Sequence, residues 1–73
     1  MRLEDLLEAY DVQDCVVWIA DQTDLEQNGR DTIYKGTVED VLEKFPSLKD
    51  REVLHFHYTE ADKFTPAGLE ITI

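Results

Sequence analysis

Arg51-Glu52-Val53-Leu54-His55-Phe56-His57-Tyr58 alternates residue by residue, and each parity carries its own chemistry. Leu54, Phe56 and Tyr58 fall on one side; Val53, His55 and His57 fall on the other. Period-two alternation rich in aromatic and β-branched residues marks a strand with one buried face. The stretch therefore predicts a central strand of a small sheet, with Leu54, Phe56 and Tyr58 turned into the core.

Helices and further strands flank it. Residues 2–10 place Leu3, Leu6, Leu7 and Tyr10 at i, i+3, i+4 and i+7, the apolar stripe of a helix. Glu4 and Asp5 in its first turn suit the helix dipole. Asp11–Asp14 connects it to a strand over 15–20, apolar on both faces, as a centrally placed strand would be. Residues 21–31 read as an acidic polar loop, with Asn28-Gly29 as a turn dipeptide near its end. A short strand over 32–35 follows, and Gly36 breaks it. Thr37-Val38-Glu39-Asp40 has the form of a capping box, with Asp40 in the usual place of Glu or Gln. Val38, Val41, Leu42 and Phe45 mark the buried side of that second helix, and Pro46 ends it. Residues 59–68 form a second long loop, and Leu69-Glu70-Ile71-Thr72-Ile73 alternates as a final strand.

The order α-β-β-α-β-β predicts a single α+β domain over residues 1–73. Adjacent strand pairs favour hairpins. The expected sheet is four-stranded and mainly antiparallel, in the order 2-1-3-4, with two helices on one face. That face would meet Cys15, Val17, Ile19, Ile33, Leu54, Phe56, Tyr58, Leu69, Ile71 and Ile73. The opposite face would show Val16, Trp18, Thr32, Tyr34, Val53, His55, His57, Glu70 and Thr72. A slip of one residue in any strand would exchange its faces.

A chain of 73 residues buries only roughly 60% of its unfolded surface, and small folds of this kind often rely on a staple or a partner subunit. Cys15 is the only cysteine, which excludes an intrachain disulfide; inside its apolar run it reads as a buried, reduced thiol. The N-terminus lacks the apolar core of a signal peptide, and no apolar run reaches the roughly 20 residues that span a bilayer. The expected location is the cytoplasm.

Charge is the strongest compositional signal. Seventeen acids oppose seven Lys and Arg, a formal net charge of -10. Direct contact with nucleic acid or with anionic membrane is not expected, since both need clustered cations. A basic protein surface would instead be attracted and steered.

Catalytic patterns are missing: the sequence has no P-loop, no GxGxxG and no GxSxG. An enzyme is not expected, nor is a cofactor. His55-x-His57 puts two imidazoles on one strand face, but without a further ligand cluster they read as solvated or interfacial residues rather than a metal site. The acidic stretch from Asp21 to Gly29 departs from the EF-hand loop, because Leu25 stands where an oxygen ligand belongs.

Four short stretches carry a resemblance: Leu3-Glu4-Asp5-Leu6-Leu7, Tyr34-Lys35-Gly36 before a helix, Asp50-Arg51-Glu52-Val53 opening a strand, and the Leu69 to Ile73 ending. In these the chain resembles small phage and prophage α+β proteins of the Firmicutes type. In general character it is similar to anti-CRISPR and other anti-defence proteins, many of them short and acidic. The resemblance implies an α+β fold and a mobile-element origin, and supplies no catalytic residue.

The functional expectation is a non-enzymatic inhibitor that blocks the nucleic-acid-binding surface of a host defence protein. Asp21, Asp24, Glu26, Asp31, Glu60 and Asp62 would replace phosphates, while Trp18, Tyr34, His55 and His57 form an aromatic patch that anchors the contact. The alternative is a structural module that self-associates as a homodimer through the open sheet face. A small-molecule or nucleotide sponge is a third reading, disfavoured by the acidity and by the scatter of the basic residues.

Overall fold

A computed structural model describes residues 1–10 and 14–73. The first three residues of the connection expected over Asp11–Asp14 lie outside the described ones. The chain runs α1 (Leu3–Ala9), β1 (Val16–Ala20), α2 (Gln22–Asn28), β2 (Ile33–Gly36), α3 (Val38–Lys44), a 3-10 turn (Pro46–Leu48), β3 (His55–Thr59) and β4 (Gly68–Thr72). The class is α+β, around one four-stranded sheet.

The sheet order is β2-β1-β4-β3. This corrects the expected 2-1-3-4 order. The central pair is β1 and β4, and they run parallel. Both outer pairs are antiparallel, β1 with β2 and β3 with β4. Among the four strands, β1 and β4 hold the fully buried positions, Val17, Ile19, Leu69 and Ile71, as central strands should. β3 has no fully buried residue and lies at an edge.

The acidic stretch after β1 is a helix, not a hairpin loop. Asp21 caps α2, its side chain accepting the Asp24 backbone N–H at 2.9 Å. Asn28-Gly29 ends this helix instead of turning a hairpin: Gly29 has φ 68°, a left-handed conformation that favours glycine after a helix. α2 buries none of its side chains, so it adds a third helix without adding to the core.

α1 and α3 do what the apolar spacing predicts. Leu3, Leu6 and Leu7 of α1 and Val38 and Val41 of α3 close the core against Val17, Ile19, Leu69 and Ile71. The capping box at Thr37 is complete: its hydroxyl accepts the Asp40 N–H at 3.2 Å, and the Asp40 carboxylate accepts the Thr37 N–H at 3.4 Å. Pro46 opens the 3-10 turn that follows, and Leu48 of that turn reaches the core.

Two strand parities depart from expectation. In β2, Tyr34 rather than Ile33 faces the helices, where it meets Phe45 edge-on with ring centres 4.8 Å apart. Gly36 lies on the same face as Tyr34, opposite Val17, under the start of α3, and a Cβ there would stand 3.0 Å from Asp40 Cβ. The smallest residue thus stands at the tight approach of β2 to α3, Tyr34 shares its face, and Ile33 is left 58% exposed on the other. In the Arg51 to Tyr58 stretch the alternation breaks between Val53 and Leu54. Val53 packs on the core while Leu54 is 59% exposed, the reverse of the expected assignment. Residues 51–53 pair with the N-terminus, through Leu3 N–H to Arg51 O at 2.9 Å and Val53 N–H to Met1 O at 2.8 Å. Leu54 N–H bonds instead to Thr72 O of β4, at 2.8 Å. One extended stretch thus serves two pairing partners, and its parity resets where it passes from one to the other. Beyond the reset, Phe56 and Tyr58 face the core as expected, packing around Tyr10.

Candidate functional site

With α1 and α3 on one side, the other side of the sheet is open. Alternation and register bring Trp18, Ala20, Ile33, Lys35, His55, His57, Glu70 and Thr72 onto it. A shallow concavity of about 360 Å³ lies among Trp18, Ala20, Ile33, His55, His57, Glu70, Ile71 and Thr72. A second, mostly apolar depression runs from Trp18 past Val16 and Gly68 to Pro66. Trp18 borders both.

Trp18 is the centre of this face. It pairs with Lys35 of β2 on one side and with Glu70 of β4 on the other. The Lys35 ammonium stands 5.3 Å from the centre of its ring, within reach of a cation–π contact. The ring edge leans over Gly68, where a Cβ would come within 3.4 Å of Trp18 Cζ3. Trp18 stays 36% exposed, a large share for a tryptophan.

The histidines sit farther out. His57 opposes Glu70 and His55 opposes Thr72, both on edge strand β3 and both exposed. Among the described residues, no group of three His, Cys, Asp or Glu is placed to hold a metal ion. Tyr34 is not part of this face. It packs on the core side, and Lys35 and Ile33 take the places expected for Tyr34 and Thr32.

The acids named from the sequence divide into two groups. Asp21 is 7% exposed and belongs to the framework: Arg51 donates to both of its oxygens, at 3.0 and 3.2 Å. Those bonds hold its carboxyl below the usual carboxylate range, helped by the Asp24 N–H and opposed by burial. Asp24 accepts the Thr32 hydroxyl at 2.7 Å and the Asn28 amide at 2.8 Å, which lower its pKa as well. Asp62 accepts the backbone N–H groups of Phe64 and Thr65, at 2.8 and 2.7 Å, and they likewise lower its pKa. These three carboxylates shape the chain that carries them. Glu26 accepts from Gln22 at 3.1 Å on the exposed side of α2, and Asp31 and Glu60 stand in solvent.

The larger acidic surface lies on the helices. α1 carries Glu4, Asp5 and Glu8, with Arg2 at its N-cap 3.7 Å from Asp5, and α3, which touches it, carries Glu39, Asp40 and Glu43 with the cation Lys44 in its last turn. Sequence reasoning used these residues only as helix formers; their signal was the repeated i, i+4 spacing of like charges. It also passed over Phe64, which is 93% exposed in the β3–β4 loop.

Cys15 is buried, and desolvation pushes its thiol pKa up, away from reactivity. No helix among the described residues is long and apolar enough to cross a membrane. No family model, curated protein or solved structure matches this chain.

Proposed function

We propose that this chain is a non-enzymatic protein-binding protein that occupies the nucleic-acid-binding surface of another protein, in the manner of phage or mobile-element inhibitors of host defence proteins. The observation that carries this reading is the acidic layer on α1 and α3. Glu4 and Glu8 are i, i+4 neighbours, and so are Glu39 and Glu43. Each such like-charge pair works against its own helix by about 0.2–0.5 kcal/mol. Glu4 and Glu39 stand in first turns, where the helix dipole favours acids, but Glu8 and Glu43 lie later in these seven-residue helices, outside every ion pair among the described residues, and their charge is better explained by recognition than by folding. Carboxylates spaced about 5–6 Å apart along a helix present a row of negative charge to a basic groove.

The net charge of -10 adds long-range steering toward a basic partner. The framework roles of Asp21, Asp24 and Asp62 move the weight of the contact from the loops to these helices, with Glu26, Asp31 and Glu60 as further exposed acids.

The test is capture from a bacterial lysate on the immobilised chain, followed by elution with duplex DNA, with RNA, or with salt. The expected result is a retained nucleic-acid-binding protein that nucleic acid displaces and that the double variant Glu39→Lys, Glu43→Lys fails to retain. If nothing retained is displaced by DNA or RNA, the reading is wrong.

A further inference from the structure

We propose that the open sheet face is the interface of a homodimer, in which two copies pack face to face about a two-fold axis that runs along β1 over Trp18. The register carries this. Lys35 and Glu70 flank Trp18 in one row, on the two strands that adjoin β1. Neighbouring strands lie about 4.8 Å apart, so the backbone positions of Lys35 and Glu70 stand at equal and opposite offsets from that of Trp18. A two-fold along β1 exchanges the two sides. It sets Trp18 against Trp18 of the second copy, and each Lys35 over the second copy's Glu70. In the next row it sets Ala20 against Ala20, and Ile33 over the methyl group of Thr72. An isologous interface requires this kind of self-complementarity, a patch that matches its own rotated image.

Charge points to the same occupant. Two copies of a chain at -10 repel one another over most of their surface. The strand residues of the open face include one acid, Glu70, and one base, Lys35, so this is a face on which contact between two copies adds no excess of like charge to that repulsion. β3 has no counterpart across the axis, because β2 is already the edge on the other side. His55 and His57 therefore fall on the rim, where exposed polar side chains belong. The arrangement also relieves the shortage of buried surface in so small a domain. It turns both acidic helix layers outward, on opposite sides of the dimer. It is independent of what those layers bind, so either proposal can fail alone.

The test is sedimentation equilibrium of the full chain over a wide concentration range, with the accessibility of Trp18 to iodide as a second readout. Trp18 is the only tryptophan, so its quenching reports this face alone. The expected result is a mass rising toward twice 8.5 kDa as concentration increases, with quenching falling in step. Lys35→Glu and Glu70→Lys each place like charges opposite one another, and each raises the dissociation constant about tenfold or more. The chain carrying both exchanges restores the pairing and returns toward the parent. Both positions are exposed, and circular dichroism checks that the variants fold. A chain that stays monomeric with Trp18 open to iodide leaves the face to some other partner and overturns the proposal. A dimer indifferent to the charge exchanges overturns it equally, since another surface must then be in contact.

Discussion

Arg51 holds Asp21 through two nitrogens, at 3.0 and 3.2 Å, across 30 positions of sequence. Asp21 ends β1 and caps α2, and Arg51 lies just past the 3-10 turn where the chain turns back toward the sheet. Their contact ties the first half of the fold to the second at a place where α2 offers no buried side chain. Asp21 is almost fully enclosed while Arg51 keeps about a third of its side chain in solvent, at 34%. Removing the arginine therefore leaves a desolvated carboxylate, whereas removing the carboxylate leaves a cation that water can reach. Arg51→Ala should cost about 2–3 kcal/mol in urea unfolding and exceed the cost of Asp21→Asn. Equal costs would show that the asymmetry in burial has no energetic consequence.

The same carboxylate sets a dependence on pH. Asp21, Asp24 and Asp62 all have folded-state pKa values below the ordinary 3.8, for the hydrogen-bonding reasons given above. In the unfolded chain they take up protons near 3.8; in the folded chain they resist until lower pH. Their contribution is thus present above about 3.8 and is lost as pH falls through the depressed folded values. The melting temperature should decline on acidification below about pH 4. In Asp21→Asn the decline should be shallower, because one of the groups responsible is gone. A melting curve series from neutral pH to strong acid decides it, and an unchanged acid slope in the variant would contradict the assignment.

Gly36 connects two features that lie close in sequence. Its missing side chain lets the Asp40 Cβ approach, and Asp40 closes the capping box of α3. Gly36→Ala puts a methyl group 3.0 Å from that atom, so either the helix start shifts or β2 does. The expected loss is about 1–2 kcal/mol, more than the gain from a stiffer unfolded chain. Asp40→Gly in the same background removes the clash along with the cap. If the clash is the cause, the two changes together cost less than their sum, by double-mutant cycle.

Local signals were legible where neighbouring residues alone decide. Thr37 with Asp40, the stripe of Leu3, Leu6 and Leu7, and the stop at Pro46 concern contacts within a few positions, and sequence spacing fixes those. The order of strands was not legible, because β1 and β4 are joined by register over some fifty residues and nothing in either strand names the other. The open face was read in part. Trp18, His55, His57, Glu70 and Thr72 share it as expected, since parity within β1, β3 and β4 is regular. Tyr34 was misplaced because the face of β2 is decided by its register with β1 and by the packing of Tyr34 on Phe45, which are tertiary contacts. The role of Asp21 was hidden for the same reason. A capping aspartate and a free surface aspartate look alike until Arg51 arrives from elsewhere in the chain.

The reset between Val53 and Leu54 gives the sharpest contrast, because the two residues are adjacent and both aliphatic. A strand with unbroken alternation would bury Leu54 and expose Val53. Pairing of residues 51–53 with the N-terminus, and of Leu54 onward with β4, does the opposite. Val53 packs on the core, so Val53→Ala removes two methyl groups from partly buried contacts and should cost about 1–2 kcal/mol. Leu54 is 59% exposed, so Leu54→Ala should change stability by less than about 0.5 kcal/mol, although the larger side chain is lost. Chemical denaturation of the two variants side by side measures the difference. If Leu54→Ala proves the more damaging, the alternation runs unbroken through the stretch, the reset does not exist, and the face assigned to the segment before His55 must be reversed.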